Sequence, residues 1–175
     1  MPLRNIHEKP FDEGTLTKLD LYRLYLREWL PTFINSPSIR ILQIFDLFAG
    51  PGCDLAGQPG SPLIALEEAG SALAKNKRFG GPQIDLFFNE LNPGKATALC
   101  ELISQQPDVP PNIRMEVTRL PFEEAFLSVV PKMTGQVANL VFLDQNGIKF
   151  VSHDVFIRLA GLPRTDLLFY VSSAT

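Results

Sequence analysis

The sequence predicts an α/β protein with one doubly wound parallel sheet, and three observations support this fold class. The 175 residues are 45% hydrophobic and 20% charged, which is typical of one globular domain with a hydrophobic core. Five apolar runs alternate with helical patterns, as in a parallel sheet whose strands are joined by crossover helices. The first run is continuously apolar, as expected for a strand buried on both faces.

Each predicted strand is an apolar run, and most predicted helices carry a recognisable start signal. The helices between the strands are expected to begin at the N-caps Ser61, Asn92 and Ser152 and, for the third of them, at Pro121. The strands are predicted at residues 39–48, 84–88, 114–120, 138–143 and 166–171.

The two ends of the chain lie outside this alternating pattern. Residues 1–38 are predicted to form a helical prefix, because apolar residues from Leu16 to Phe33 recur at a spacing of three to four. We expect this helix to pack on an α/β domain of residues 39–175 and to cover a sheet face or the mouth of a ligand site. The chain stops four residues past the fifth predicted strand. An apolar strand near a sheet edge needs a cover. We therefore expect either that the chain is a fragment truncated after that strand or that a partner covers this side of the sheet.

The charge balance argues against a protein that holds nucleic acid by its phosphates. Sixteen Lys and Arg against 19 Asp and Glu give a net charge of −3, and no basic face is evident. Cys53 and Cys100 form no CxxC pair, which fits a reducing cytosol and predicts no metal site. Neither a signal peptide nor a membrane-spanning run is visible. The sequence predicts a cytoplasmic protein without membrane contact.

The residues that follow each strand are the candidate site, because open α/β sheets bind ligands beyond the carboxyl ends of their strands. The first strand leads into D-L-F-A-G-P-G, and we predict that five of these residues contact a cofactor. Gly50 and Gly52 would allow the backbone to approach a ligand closely. Asp46 can accept a hydrogen bond from a loop amide or a cationic ligand group. The other two predicted contacts are Phe48 and Ala49.

The spacing of this loop separates the possible nucleotide cofactors. A nicotinamide site requires GxGxxG running directly into a helix, whereas about ten residues separate Gly50 from the helix at Ser61. The GxxxxGK[ST] loop of nucleoside triphosphate sites is absent. The pattern D-x-F-x-G-x-G resembles motif I of class I methyltransferases, which bind S-adenosylmethionine. This likeness implies a Rossmann-like sheet of the methyltransferase type.

Two further acidic residues end predicted strands. Glu90 is predicted to accept both ribose hydroxyls of an adenosyl ligand, with Leu91 beside it, and a solvated strand-end glutamate is the alternative. Asp144 is the candidate catalytic residue on the methyl-acceptor side, and an Asp that closes the strand–loop turn is the alternative. The prolines and aromatic of (D/N)-P-P-(Y/F) and the Pro-Cys of cytosine-C5 enzymes are missing there. The acceptor is therefore not identified.

Segments over nearly the whole chain resemble the three-Cys-motif partner protein family (TcmP). The likeness implies a methyltransferase-like Rossmann fold and pairing with a separate protein that carries a three-cysteine, radical-enzyme-like motif. Since that motif belongs to the partner, its absence here is expected. Asn146 departs from the family pattern, because an aromatic is common there in the similar D-x-F-G form. The matching segments are Thr15–Leu19, Tyr25–Leu30, Ile44–Gly52, Gly60–Leu66, Phe87–Glu90, Phe142–Gln145 and Thr165–Ser173.

The sequence leaves two functions open. In the first, the chain binds S-adenosylmethionine as part of a methyl-transferring enzyme, with a nucleic acid or nucleotide acceptor suggested by analogy alone. In the second, the fold is a non-catalytic partner module that docks the three-cysteine protein. The incomplete motif after the fourth strand, the acidic balance and the apolar last strand favour the second. A nicotinamide-dependent oxidoreductase is a more distant third reading, and the oligomeric state is not predicted.

Overall fold

The strands of the sheet all run parallel, in the order β3-β2-β1-β4-β5. The computed structural model describes residues 10–76, 81–145 and 152–170. Since the chain builds outward from β1 to β3 and then returns to β4 on the other side of β1, the order reverses between β1 and β4. This is the Rossmann-like, doubly wound arrangement, and the predicted fold class is confirmed. The strands are β1 (Ile41–Asp46), β2 (Gln83–Asn89), β3 (Ile113–Thr118), β4 (Val137–Leu143) and β5 (Thr165–Phe169).

Helices cover both faces of the sheet, and each face has its own apolar cluster. One cluster packs α1, α2 and α3 on one face, and the other packs α4 and α5 on the opposite face. Neighbouring residues of a strand therefore enter different clusters, as Ile44 and Phe45 of β1 do. No helix in the described ranges is long and apolar enough to cross a membrane. The helices are α1 (Glu13–Ile34), α2 (Ser61–Lys75), α3 (Pro93–Ser104), α4 (Phe122–Val129) and α5 (His153–Ala160).

Two of the three predicted side-chain caps are confirmed. Asn92 accepts a hydrogen bond from the Lys95 amide, and Ser152 accepts one from the Val155 amide. The prediction for Ser61 is wrong, because Gly60 is the N-cap of α2 and Ser61 is its first helical residue. The Ser61 hydroxyl instead donates to the Asp46 carboxylate across the loop, at 2.6 Å. The Ser61 hydroxyl therefore binds a carboxylate on β1 instead of capping α2.

The predicted ends of β1 and β3 were each two residues too late. In both places a backbone amide just beyond the strand donates to a side-chain oxygen. That amide is therefore not available for a further hydrogen bond to the neighbouring strand. The Phe48 amide donates to Asp46 Oδ1 at 3.1 Å, and the Leu120 amide donates to Asn89 Oδ1 at 3.0 Å. The predicted fifth strand reached Val171, which lies outside the described residues.

The predicted amphipathic helix of the prefix is confirmed as α1, which packs on α2 and on one face of the sheet. Between the two helices, the Glu68 carboxylate accepts hydrogen bonds from Arg23 at 2.8 Å and from Arg27 at 3.1–3.2 Å. Burial opposes ionisation of Glu68, but the two guanidinium groups outweigh it and hold the pKa of this carboxyl below its ordinary value.

We expect Glu68→Gln to lower the free energy of unfolding by about 1–2 kcal/mol near pH 7, because the charged hydrogen bonds to two arginines are lost. Since the pKa of Glu68 is lowered in the fold, this contribution is present above the ordinary pKa. It disappears as the pH falls through the lower folded value. Urea unfolding of wild type and variant near neutrality and near pH 3 measures both effects.

The matched control is Glu67→Gln, since Glu67 pairs with Arg23 but is 48% exposed. We expect this variant to change stability by less than about 0.5 kcal/mol. An equal loss for Glu68→Gln at both pH values would contradict the ion-pair explanation.

Candidate functional site

The carboxyl ends of β2, β1 and β4 bring three of the predicted site residues into one row. Asp46 is the last residue of β1, and its register partners are Phe88 on β2 and Phe142 on β4. Glu90 and Asp144 each follow two residues after those partners. Because the three strands are neighbours, the acidic side chains lie at one sheet edge with Asp46 in the middle. The row sits at the reversal of strand order, where open α/β sheets bind ligands.

Asp46 is fully buried at the centre of this row. Its carboxylate accepts from the Phe48 amide at 3.1 Å and from the Ser61 hydroxyl at 2.6 Å. Burial raises the pKa of Asp46 to about 7; the bonds from Ser61 and Phe48 limit this rise, and the charges of Asp144 and Glu90 add to it. The sequence analysis allowed Asp46 to accept a hydrogen bond from a loop amide or from a cationic ligand group. The structure contains the first of these, from the Phe48 amide.

The Glu90 carboxylate faces the glycine loop. One of its oxygens accepts from the Gly50 amide at 2.9 Å, and the other accepts from the Asn92 amide at 2.8 Å. Gly50 has a φ of 66°, which glycine adopts without strain. The Ala49 amide donates to the Asn89 carbonyl at 3.0 Å, so the loop stays close to the end of β2. Glu90 thus joins the loop after β1 to the start of α3.

Side chains of α3 occupy the position where any other residue in place of Gly52 would have its Cβ atom. Gly52 has a φ of 89°, and an added Cβ would lie 2.6 Å from Leu102 Cδ2 and 2.9 Å from Leu99 Cδ1, both on α3. With that atom present, the ends of both leucine side chains would have to shift. Close approach of a ligand at Gly52 stays a prediction, while packing supplies a separate reason for the glycine.

The remaining predicted contacts differ in exposure. Phe48 is half-buried, and its ring stacks on Phe122 with centroids 5.2 Å apart and an interplanar angle of 12°. Phe122 is itself part of the apolar cluster formed by α4 and α5, so it is a core residue. Leu91 is 60% exposed beside Glu90 and is available to a ligand at the end of β2.

A groove of about 320 Å³ opens on the α3 side of the glycine loop. It is lined by residues 51 and 53–55 of the loop and by Glu101 and Leu102 of α3. Because this groove does not include the acidic row, we do not assign it to the predicted cofactor.

The sequence prediction missed Lys18, which α1 brings to the acceptor side of the site. Its ammonium lies 2.6 Å from both carboxylate oxygens of Asp144. The Tyr170 hydroxyl donates to the Lys18 carbonyl at 3.2 Å, and the Phe11 amide donates to Asp54 at 2.7 Å. The start of α1 therefore reaches from the loop after β1 to the end of β4.

Tyr22 is a second residue of α1 that the sequence analysis did not place at the site, because it counted this tyrosine among the apolar residues of the helix. It is fully buried, and its ring stacks on Phe142 with centroids 4.2 Å apart. Its hydroxyl has no hydrogen-bond partner within the described part of the chain. Burial, and then the charge of Asp46, raise the pKa of Tyr22 well above its ordinary value. The only sequence signal was two polar groups, Lys18 and Tyr22, four residues apart on one helix face.

Comparison with known proteins assigns no family to this chain. No family model matches the sequence, and no curated protein matches it significantly. Among solved structures, the chain is similar to "Loganic acid methyltransferase with SAH", with 12% identity and a TM-score of 0.42. The similarity covers 81% of this chain and 38% of that one. The strand order defines a Rossmann-like, doubly wound fold, and the comparison adds no role for any residue.

We expect Gly52→Ala to destabilise the protein by about 2–3 kcal/mol, because the new methyl group overlaps two α3 leucines in a strained backbone conformation. Gly57→Ala is the matched control, since Gly57 has a φ of 79° and a Cβ added there would meet nothing within 4 Å. It carries the backbone strain alone, about 1 kcal/mol. Urea unfolding of both variants isolates the crowding, and equal losses would contradict it.

We expect Asp46→Asn to become more stable relative to wild type as the pH rises from about 5 to about 8. The unfolded carboxyl ionises near its ordinary pKa of 3.8, whereas the folded pKa is about 7. Between these values the unfolded chain loses its proton first. The stability of the wild type therefore falls with rising pH until the folded group has also ionised, and asparagine has no such dependence.

Asp54→Asn serves as the control for this measurement. Burial opposes ionisation of Asp54, but backbone amides led by that of Phe11 outweigh it and lower its pKa. Asp54 is thus ionised in both states over this pH range, and its variant should differ from wild type by a constant amount. A constant difference for Asp46→Asn as well, in urea unfolding, would contradict the raised pKa.

Proposed function

We propose that this chain binds S-adenosylmethionine at the carboxyl ends of β1 and β2 and is part of a methyl-transferring protein. The observation that carries the proposal is the contact between Glu90 and the Gly50 amide. It joins the acidic end of β2 and the glycine loop into one unit at the sheet edge. In nucleotide-binding sheets of this order, a carboxylate after the second strand accepts the ribose hydroxyls.

The donor and acceptor set around Glu90 fits an adenosyl group. Each carboxylate oxygen accepts one backbone amide, from Gly50 and from Asn92. Because a carboxylate has about four lone-pair sites, each oxygen keeps capacity for a ribose hydroxyl. The two amides hold the carboxylate in one orientation before a ligand arrives, and this preorganisation favours binding.

Asp46 would act as a positioning residue in this site. Its bonds to the Phe48 amide and the Ser61 hydroxyl hold both ends of the loop that surrounds Gly50. When bound, S-adenosylmethionine would supply a methyl group on a positively charged sulfur. A positive charge near the acidic row favours the ionised form of Asp46, whose pKa is about 7 without that charge.

Asp144 is the proposed residue on the acceptor side, where it would orient the group that receives the methyl. Lys18 already contacts both of its oxygens, so an acceptor must share or replace that ammonium. A nucleotide or nucleic acid acceptor rests on analogy, and the net charge of −3 does not favour it.

The contact between Lys18 and Asp144 also favours the second candidate, a non-catalytic partner module. In this proposal, which follows the resemblance to the three-Cys-motif partner family, the chain docks a separate three-cysteine protein. Asp144 would then stabilise the position of α1 through Lys18 rather than orient an acceptor.

The first test is calorimetric titration with S-adenosylmethionine and S-adenosylhomocysteine, which measures Kd. The second test is thermal unfolding with ligand at 100 times Kd, where binding should add about 2.7 kcal/mol of stability and raise the melting temperature by roughly 5–11 °C. Glu90→Gln should weaken binding by about tenfold or more, since it removes a charged acceptor. Glu101→Gln, an exposed carboxylate on α3, should leave the affinity unchanged.

Absence of binding by the wild type at millimolar ligand would overturn the first proposal. Equal affinities of wild type and Glu90→Gln would remove Glu90 from the site. Co-purification with a three-cysteine protein that survives both Glu90→Gln and Asp144→Asn would then support the partner module.

A further inference from the structure

We infer that Tyr22 is a ligand-binding residue of this site, whose hydroxyl donates a hydrogen bond to the α-carboxylate of S-adenosylmethionine. The inference rests on the proposed function and extends it to the N-terminal helix α1. It assigns the amino-acid end of the ligand to the carboxyl ends of β1 and β4.

The first step is the state of the Tyr22 hydroxyl. Tyr22 is fully buried, and its hydroxyl oxygen has no hydrogen-bond partner in residues 10–76, 81–145 and 152–170. Proteins rarely bury a hydroxyl without a partner, because water no longer solvates it. Phenylalanine would keep the stacking on Phe142 and remove the unpaired group. A ligand atom that completes the hydrogen bond explains why this position carries a tyrosine.

The second step is where this hydroxyl lies. Tyr22 stacks on Phe142, which is the register partner of Asp46 on the last rung between β1 and β4. Lys18, one turn earlier on the same helix face, reaches Asp144 just beyond β4. Helix α1 therefore brings Tyr22 to the reversal of strand order, beside the acidic row.

The third step is which part of the ligand this place would receive. The order of the strands at this edge is β2, β1, β4, and Glu90 at the end of β2 is the proposed ribose partner. The opposite end of the ligand, its amino-acid end, then extends past β1 towards β4. The ammonium there suits the neighbouring carboxylates, whereas the α-carboxylate needs a donor. The Lys18 ammonium is taken by Asp144, and the Tyr22 hydroxyl is the donor without a competing bond in the described ranges.

The test is titration of Tyr22→Phe with two ligands that differ in this end. S-adenosylhomocysteine carries the amino-acid end, while 5′-methylthioadenosine keeps the adenosine and the thioether without it. We expect the affinity for S-adenosylhomocysteine to fall by about tenfold or more, since a hydrogen bond to a charged group is lost. The affinity for 5′-methylthioadenosine should stay within about twofold. Urea unfolding should show that the variant is at least as stable as wild type.

Tyr25→Phe provides a matched control on the same helix. Tyr25 is 37% exposed, and the charged group that acts on its hydroxyl is Asp166 on β5, which is not part of the acidic row. The same chemical change there should leave the affinity for both ligands unchanged.

The outcomes separate this inference from the proposed function. If the wild type binds neither ligand, the proposed function fails and the role of Tyr22 fails with it. If the wild type binds both and Tyr22→Phe binds S-adenosylhomocysteine equally well, only the role of Tyr22 is overturned. An equal loss for both ligands, or a marked loss of stability, would indicate a structural tyrosine and would also overturn the inference.

Discussion

The buried carboxylate of Asp46 is the constraint on which the candidate site depends. Its bond to the Phe48 amide ends the central strand, and its bond to the Ser61 hydroxyl holds the first residue of α2. The loop between those two contacts is therefore held at both ends by the last residue of β1, and within it Gly50 donates to Glu90. A carboxyl group without solvent contact opposes ionisation, and the two hydrogen bonds only partly compensate. The same group thus positions the loop, and its degree of ionisation would change with the charge of a ligand bound next to it.

The N-terminal helix is more than a cover for the sheet. Its Arg23 and Arg27 anchor it to Glu68 of α2, while its first turns reach the carboxyl edge through Lys18. Those contacts hold the helix against α2, and on its inner face Tyr22 packs on Phe142 of β4. The candidate site therefore includes residues of α1 as well as of the strand ends, and α1 supplies Lys18 and Tyr22 to it.

The predictable features of this protein are those that short stretches encode. Continuous apolar runs and helix start signals were enough for the doubly wound sheet, and the caps at Asn92 and Ser152 need only the residues beside them. The pairing of Lys18 with Asp144 joins residues 126 positions apart, and no local pattern carries it. The role of Ser61 also depends on a distant residue, because its hydroxyl donates to Asp46 on β1 and does not cap α2.

The three carboxylates of the acidic row are each balanced by a different kind of group. Glu90 accepts backbone amides, which carry partial charge and do not titrate. Asp144 is paired with a full positive charge on Lys18. Asp46 has only neutral donors and lies between the other two, whose charges raise its pKa further. A cationic ligand would therefore interact most strongly with the middle of the row, where the described residues place no cation. In the proposed function, this distribution would suit a ligand whose positive charge lies near the end of β1 and whose neutral hydroxyls lie near the end of β2.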